Sequence, residues 1–192
     1  MKKNIGSLEP RLNGSNRWKS FEGSTMDIEL PLDFKEFLKL LNEKEVTKCR
    51  KTRETSGFDS SLQSGSYLLI GGYAVGYHGY PRATNDMDVW IAIHPDNAQR
   101  VVNALKDFGF DHPELTPELF LQKNKIIRMG HPPMRLEIST GISGVEFEDC
   151  YANRVVDDLD GVKVSIIDLP HLKANKKAAG RLKDLADLEN LP

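Results

Sequence analysis

The span from Tyr67 to Ile93 constrains this chain most. An apolar run ends in Gly71-Gly72, and Asp86-Met87-Asp88 opens a second apolar run fifteen residues after the first glycine. Residues 67–70 are short, apolar and bounded by glycine, which predicts a buried strand. Two successive glycines let a chain turn tightly and bring backbone N–H groups close to another group. Ala74 to Tyr77 are predicted to begin a short helix, whose first N–H groups lack helical partners and carry partial positive charge. Strand, glycine turn and helix start together form a seat for phosphate. A lone Gly-Gly after a strand is more often just a turn, so its meaning depends on the residues downstream of it.

Those downstream residues include a pair of carboxylates. Asp86 and Asp88 open a predicted strand that continues through Ile93, and side chains two apart on a strand share a face. Neighbouring carboxylates repel, and a divalent cation relieves the repulsion. Oxygen-only ligands at this spacing suit magnesium or manganese, which also bind nucleotide phosphates. An isolated Asp-x-Asp is ordinarily two solvated aspartates; the Gly-Gly turn on what should be a neighbouring strand makes the combination specific. A third carboxylate lies in Met134-Arg-Leu-Glu-Ile-Ser-Thr140, where alternation places Leu136 and Ile138 on one face and Arg135, Glu137 and Ser139 on the other. If this strand lies beside the Asp86 strand, Glu137 joins the aspartates and helps place the metal that activates an attacking hydroxyl. The alternative is a surface glutamate paired with Arg135 or another cation.

The remaining elements read as an α/β chain. Asp33 and Glu36 have the spacing of a capping box before an amphipathic helix with Phe34, Phe37, Leu38 and Leu41 on its buried side. Pro95 to Phe110 is predicted as a helix burying Val101, Val102, Leu105 and Phe108, and Thr116 to Gln122 as a short helix. Lys125–Met129 and Arg135–Thr140 are predicted strands joined through Gly130-His-Pro-Pro133. Lys163–Ile167 is a further strand, and Asp168 caps the closing helix, with Pro170 in its first turn. The sum is a mixed sheet of about four or five strands flanked by helices. Residues 1–25 are polar and irregular and read as a disordered leader, with Met26 a candidate start for a single domain over 26–192. Residues 46–66, with Lys48, Arg50, Lys51 and Arg53, read as an inserted loop, either exposed and mobile or an RNA-contacting arm.

Bulk properties permit many functions and select none. A net charge of −2 over 192 residues gives no global attraction to nucleic acid, so a polynucleotide partner needs a local basic patch. Cys49 and Cys150 lack metal spacing and point to a reducing, cytoplasmic setting. No apolar run approaches the ~18 residues of a membrane span, and no signal peptide is visible.

The pattern Gly-Gly-Tyr-Ala-Val-x-x-His-Gly-x-x-Arg-x-Thr-x-Asp-x-Asp from Gly71 to Asp88 resembles the signature of the DNA polymerase β-type nucleotidyltransferase superfamily. It is most similar to the small bacterial and archaeal nucleotidyltransferases that include the AbiEii-type toxins. The closing segment Ile167 to Leu191, a lysine-bearing helix followed by Arg-x-Lys-Asp-x-x-Asp, resembles theirs, so the likeness spans roughly residues 67–192. The resemblance implies a nucleotidyltransferase fold, with Gly71 and Gly72 against nucleotide phosphates and Asp86 and Asp88 as metal ligands. It implies Glu137 as the third acidic residue, where many relatives carry aspartate. Arg82 and Thr84 then shape the loop before the acidic pair and touch phosphate, and Lys176 or Lys173 reaches the triphosphate. Arg181 and Asp184 are expected as a structural ion pair, and His78 as a cap or packing residue.

The implied activity moves a nucleoside monophosphate from a triphosphate such as ATP to an acceptor hydroxyl with release of pyrophosphate, using Mg2+ or Mn2+. The acceptor stays open among tRNA, a protein and a small molecule, and an antitoxin partner is an analogy from the family. Two other classes compete. One is a nucleotide-binding regulatory module without catalysis; the other is a metal-dependent phosphohydrolase using the same carboxylates.

Overall fold

A computed structural model describes residues 3–4, 30–43, 66–131 and 134–192. The rest of the expected leader and of the expected insertion, with its basic residues and Cys49, lie outside the described residues. In chain order the elements are β1 (Lys3–Asn4), α1 (Leu32–Glu43), β2 (Tyr67–Leu69), α2 (Gly71–Tyr77), β3 (Asp86–Ile91) and α3 (Pro95–Asp107). A 3-10 turn (Pro117–Phe120) leads to β4 (Ile126–His131), β5 (Met134–Ser139), α4 (Phe147–Ala152), β6 (Val155–Leu159) and β7 (Val162–Ile166). Two helices, α5 (Leu169–Ala179) and α6 (Leu182–Asn190), close the chain.

The strands form one mixed sheet in the order β1-β4-β5-β3-β2-β7-β6. This mixed α/β architecture matches the expected class, but six full strands and the two-residue β1 exceed the four or five expected. The pattern predicted neither the two-residue β1, which pairs parallel with β4 within the stretch expected as a disordered leader, nor β6. Strand β6 pairs antiparallel with β7 through a two-residue turn, Asp160-Gly161, whose φ angles of 53° and 77° suit a tight hairpin. Further along the sheet, β2 pairs antiparallel with β3 and parallel with β7, while β3 pairs parallel with β5.

One sheet face is apolar because β3 alternates. Met87, Val89 and Ile91 are buried in the core, whereas Asp86 and Asp88 belong to the opposite face. On α1, Phe34, Phe37, Leu38 and Leu41 are buried as their spacing predicts, with Phe34 edge-on to Tyr73 at 5.8 Å. The expected capping box does not form. Asp33 is inside the first turn of α1, and its Oδ2 is buried without a hydrogen bond. Burial, and secondarily the Glu36 charge, push its carboxyl up.

Other boundaries shift for local reasons. β3 stops at Ile91 rather than Ile93 because the Ala92 carbonyl accepts from the Asn97 side chain, which also holds the Ser66 carbonyl. The helix predicted to Phe110 ends at Asp107, with Phe108 as its C-cap and partly buried against the core. Asp168 is the N-cap residue of α5 as expected, but its carboxylate binds His171 instead of a backbone N–H. Among the described residues, no helix is long and apolar enough to cross a membrane.

Candidate active site

The parallel pairing of β3 with β5 sets the site. In its register Asp86 lies opposite Arg135 and Asp88 opposite Glu137. Side chains of paired residues project to the same face, so the three acidic residues meet on the polar face of the sheet. They line a cleft of about 490 Å3 together with Gly71, Gly72, Arg82, Thr84 and Lys176. The residues that the sequence pattern nominated, Lys173 apart, therefore line one cleft, although their roles in the structure differ.

The glycines are required by close approach. Gly71 has φ +62°, and a Cβ there would fall 1.9 Å from Asp88 Oδ2. At Gly72 a Cβ would meet Thr84 Oγ1 at 2.6 Å. The Gly72 N–H donates to the Asp88 carboxylate. Asp88 therefore packs directly on the Gly-Gly turn, and Thr84 wedges beside it while donating to the Asp86 carbonyl at 3.2 Å. Helix α2 begins at Gly71 instead of Ala74 and runs for seven residues.

The acids differ in how their charge is met. Arg128 on β4 lies opposite Glu137 in the antiparallel β4–β5 register and donates from Nε at 2.6 Å and from Nη2 at 3.2 Å to its two oxygens. Arg135 bridges, with Nη2 2.7 Å from Asp86 Oδ2 and 3.0 Å from Glu137 Oε1. Glu137 is thus paired with Arg135 and with a second cation, as the alternative expected of it, but it is buried and not a surface residue. Among the described residues, no lysine or arginine forms an ion pair with Asp88. Burial first, then the charges of Glu137 and Asp86, push the Asp88 carboxyl up to about 7, against the pull of the Gly72 N–H and of Arg181.

Behind the acids is a buried ionic network. Lys176 Nζ is 3.0 Å from Asp184 and 2.6 Å from Asp187, with all three side chains almost fully buried. Arg82 donates from Nε and Nη2 to Asp187 at 2.6 and 2.9 Å, and Arg181 binds Asp184 at 2.5 Å. Lys176 therefore lines the cleft with its ammonium committed to two carboxylates, and Arg82 likewise faces α6. Lys173, the other nominated lysine, donates to the Pro192 carbonyl. The Arg181–Asp184 pair is the structural one expected. His78 caps α2 and makes a 2.7 Å hydrogen bond to the Ile167 carbonyl, a packing role as expected.

Sequence reasoning missed Arg128 as a member of the site, Ser143, Asn175 and Lys183 as further cleft residues, and Asp187 as the anchor of Arg82 and Lys176 behind it. Arg128 was legible only through the register of the β4–β5 hairpin, which fixes Glu137 as its partner. Among the described residues, no three His, Cys, Asp or Glu side chains stand as a group that holds a metal ion. Scanned against protein-family models and searched among curated proteins, the chain returns no match.

Proposed function

We propose that this chain is a metal-dependent nucleotidyltransferase with a nucleotidyltransferase fold, a phosphorus-group transferase acting from a nucleoside triphosphate on an acceptor hydroxyl. The observation that carries the reading is the in-register placement of Asp88 beside Glu137, with Asp86 two residues along the same face, against a Gly-Gly turn. A set of oxygen donors that includes an aspartate in no ion pair with a lysine or arginine among the described residues fits a hard divalent cation, which would hold that aspartate ionised. Asp86 and Asp88 would hold Mg2+ or Mn2+, and Glu137 would join once released by its arginines. Such a cation supplies charge stabilisation at the phosphorus under attack.

The chain's own residues do the rest. The Gly71-Gly72 turn seats Asp88 at the wall of the cleft that a triphosphate would enter. The acceptor hydroxyl gives its proton to water as its oxygen attacks the α-phosphorus in line, the bond to the bridging oxygen breaks, and pyrophosphate leaves. Arg128, Arg135, Arg181 and Lys183 around the cleft supply positive charge for the departing group. ATP serves as the working nucleotide, and the acceptor is a tRNA, protein or small-molecule hydroxyl. An antitoxin partner and a cytoplasmic location complete the reading by analogy with the AbiEii-type enzymes. One observation favours a second reading: Glu137 is fully neutralised by two arginines, as suits a regulatory module that binds nucleotide without transfer.

Each α-32P-labelled triphosphate, incubated with magnesium, total tRNA and cell extract, separates these readings. Label is expected to move to a macromolecule or small acceptor with the wild type and not with an Asp86→Ala, Asp88→Ala double variant. Tight nucleotide binding without transfer would select the regulatory module, and free nucleotide hydrolysis a phosphohydrolase. Absence of both binding and transfer would overturn the proposal.

A further inference from the structure

Two arginines of the cleft stand apart from the other cations. Arg82 and Lys176 are locked to the buried Asp184 and Asp187, and Arg181 is held by Asp184. Arg128 and Arg135 line the same cleft as the Gly-Gly turn and are the arginines that bind the very carboxylates that would hold a cation. Arg135 is incompletely attached, since its Nε is buried without a hydrogen bond. A guanidinium fork that binds a carboxylate in two places binds a phosphate in the same way. The backbone route to phosphate is weak here by comparison: α2 has only seven residues, and the Gly72 N–H is already used by Asp88.

We infer that Arg128 and Arg135 are exchange ligands that hold Glu137 and Asp86 in the free protein and transfer to the phosphates of the nucleotide when a divalent cation takes those carboxylates. The inference rests on the nucleotidyl-transfer reading and deepens it by naming the phosphate-binding groups and the order imposed on binding. The charges support it. With Asp88 ionised, three carboxylates and two guanidiniums leave one negative charge in the cluster. A divalent cation entering alone must displace the arginines and strand them beside it, positive against positive. A triphosphate entering alone brings its negative charge onto carboxylates still in place. Entering together, each ligand removes the cost of the other, and linkage makes the coupling reciprocal.

Binding of Mn2+, read from the electron paramagnetic resonance signal of the free ion, tests this without turnover. In the wild type, a non-hydrolysable α,β-methylene triphosphate is expected to tighten Mn2+ binding about tenfold or more. Arg128→Gln leaves Glu137 held only by the bridging Arg135 at 3.0 Å, so it should bind Mn2+ alone about tenfold more tightly and lose most of the nucleotide effect. Arg128→Lys keeps the charge without the fork and should fall between; it decides the matter if the glutamine variant does not fold. Folded variants with unchanged or weaker Mn2+ affinity would overturn the exchange, as would wild-type binding of both ligands with no coupling. If the wild type binds neither Mn2+ nor nucleotide, and matches Asp86→Asn, Asp88→Asn, the transferase reading itself fails and the exchange falls with it.

Discussion

At the scale of single residues, the contact between Gly71 and Asp88 decides what the motif means. Gly71 and Gly180 share a φ of +62°, but a Cβ at Gly180 would find its nearest atom at 4.0 Å, whereas at Gly71 it would collide with Asp88 Oδ2 at 1.9 Å. Gly180→Ala is therefore expected to cost the left-handed penalty alone, about 1–2 kcal/mol in urea denaturation. Gly71→Ala should cost distinctly more and abolish transfer, because the Asp88 carboxylate must move. Equal costs at the two positions would show that the turn yields readily. Asp88 itself is expected to trade stability for function. Its carboxyl is raised to about 7, so the folded state carries a penalty above that pH that is relieved as pH falls toward the ordinary value of 3.8. Asp88→Asn should accordingly raise the melting temperature at pH 8 in chelator by on the order of 5 °C, with the gain shrinking by pH 5.5. A gain independent of pH would point to packing instead of charge. The pattern made these positions legible but not their contacts: successive glycines announce a close approach without saying whether a ligand or the chain's own aspartate makes it. Glu137 was ambiguous for the same reason, since only the β4–β5 register shows that Arg128 faces it.

At the scale of elements, periodicity was readable wherever one face is buried and failed where charge interrupts it. The α1 and α3 stripes follow the 3.6-residue spacing and were predicted from it. Strand β6, Val155-Val-Asp-Asp-Leu159, carries two aspartates that are poor strand formers, so only the Asp160-Gly161 turn marked it. Helix α6 inverts the usual pattern. It buries Asp184 and Asp187 and exposes Leu182, so a hydrophobicity pattern alone would turn it the wrong way round. What fixes its orientation is Lys176 on α5. Burial raises the Asp184 and Asp187 carboxyls, but hydrogen bonds and charges from Arg181, Lys176 and Arg82 outweigh it and hold both below 3.8. Such depressed groups contribute stability in full above their ordinary value, and the contribution is lost as pH falls through the depressed one. Lys176→Met removes the shared cation from a buried site and is expected to cost about 3 kcal/mol at pH 7. The gap from wild type should narrow as pH falls below 3.8, measured by urea midpoints across pH 3–7. A gap constant across that range would assign the loss to packing of the lysine stem.

At the scale of the whole molecule, the ion network joins parts of the chain that are remote in sequence. Arg82 precedes β3, Lys176 lies on α5 and Asp187 on α6, and their side chains meet beside the acidic cluster. The class of the fold was legible because strands and helices alternate along the chain. The placement of α5 and α6 over the cleft was not, because it depends on long-range ion pairs that no local pattern encodes. The arrangement makes Arg82 the tie between the loop carrying Thr84 and the helix that walls the cleft. Its guanidinium satisfies Asp187 with two hydrogen bonds while its Nη1 stays buried and unpaired, so the tie contributes position at some cost in stability. If that is its role, Arg82→Ala should loosen the wall before it loosens the sheet. Hydrogen exchange is expected to accelerate at least about tenfold in residues 182–190 while the amides of β3 and β5 keep their protection, since local opening draws on fewer contacts than global unfolding. Nucleotide affinity should fall in step with the opening of α6. Uniform acceleration across sheet and helix would instead make Arg82 part of the global core, and the cleft wall would then move only when the whole domain does.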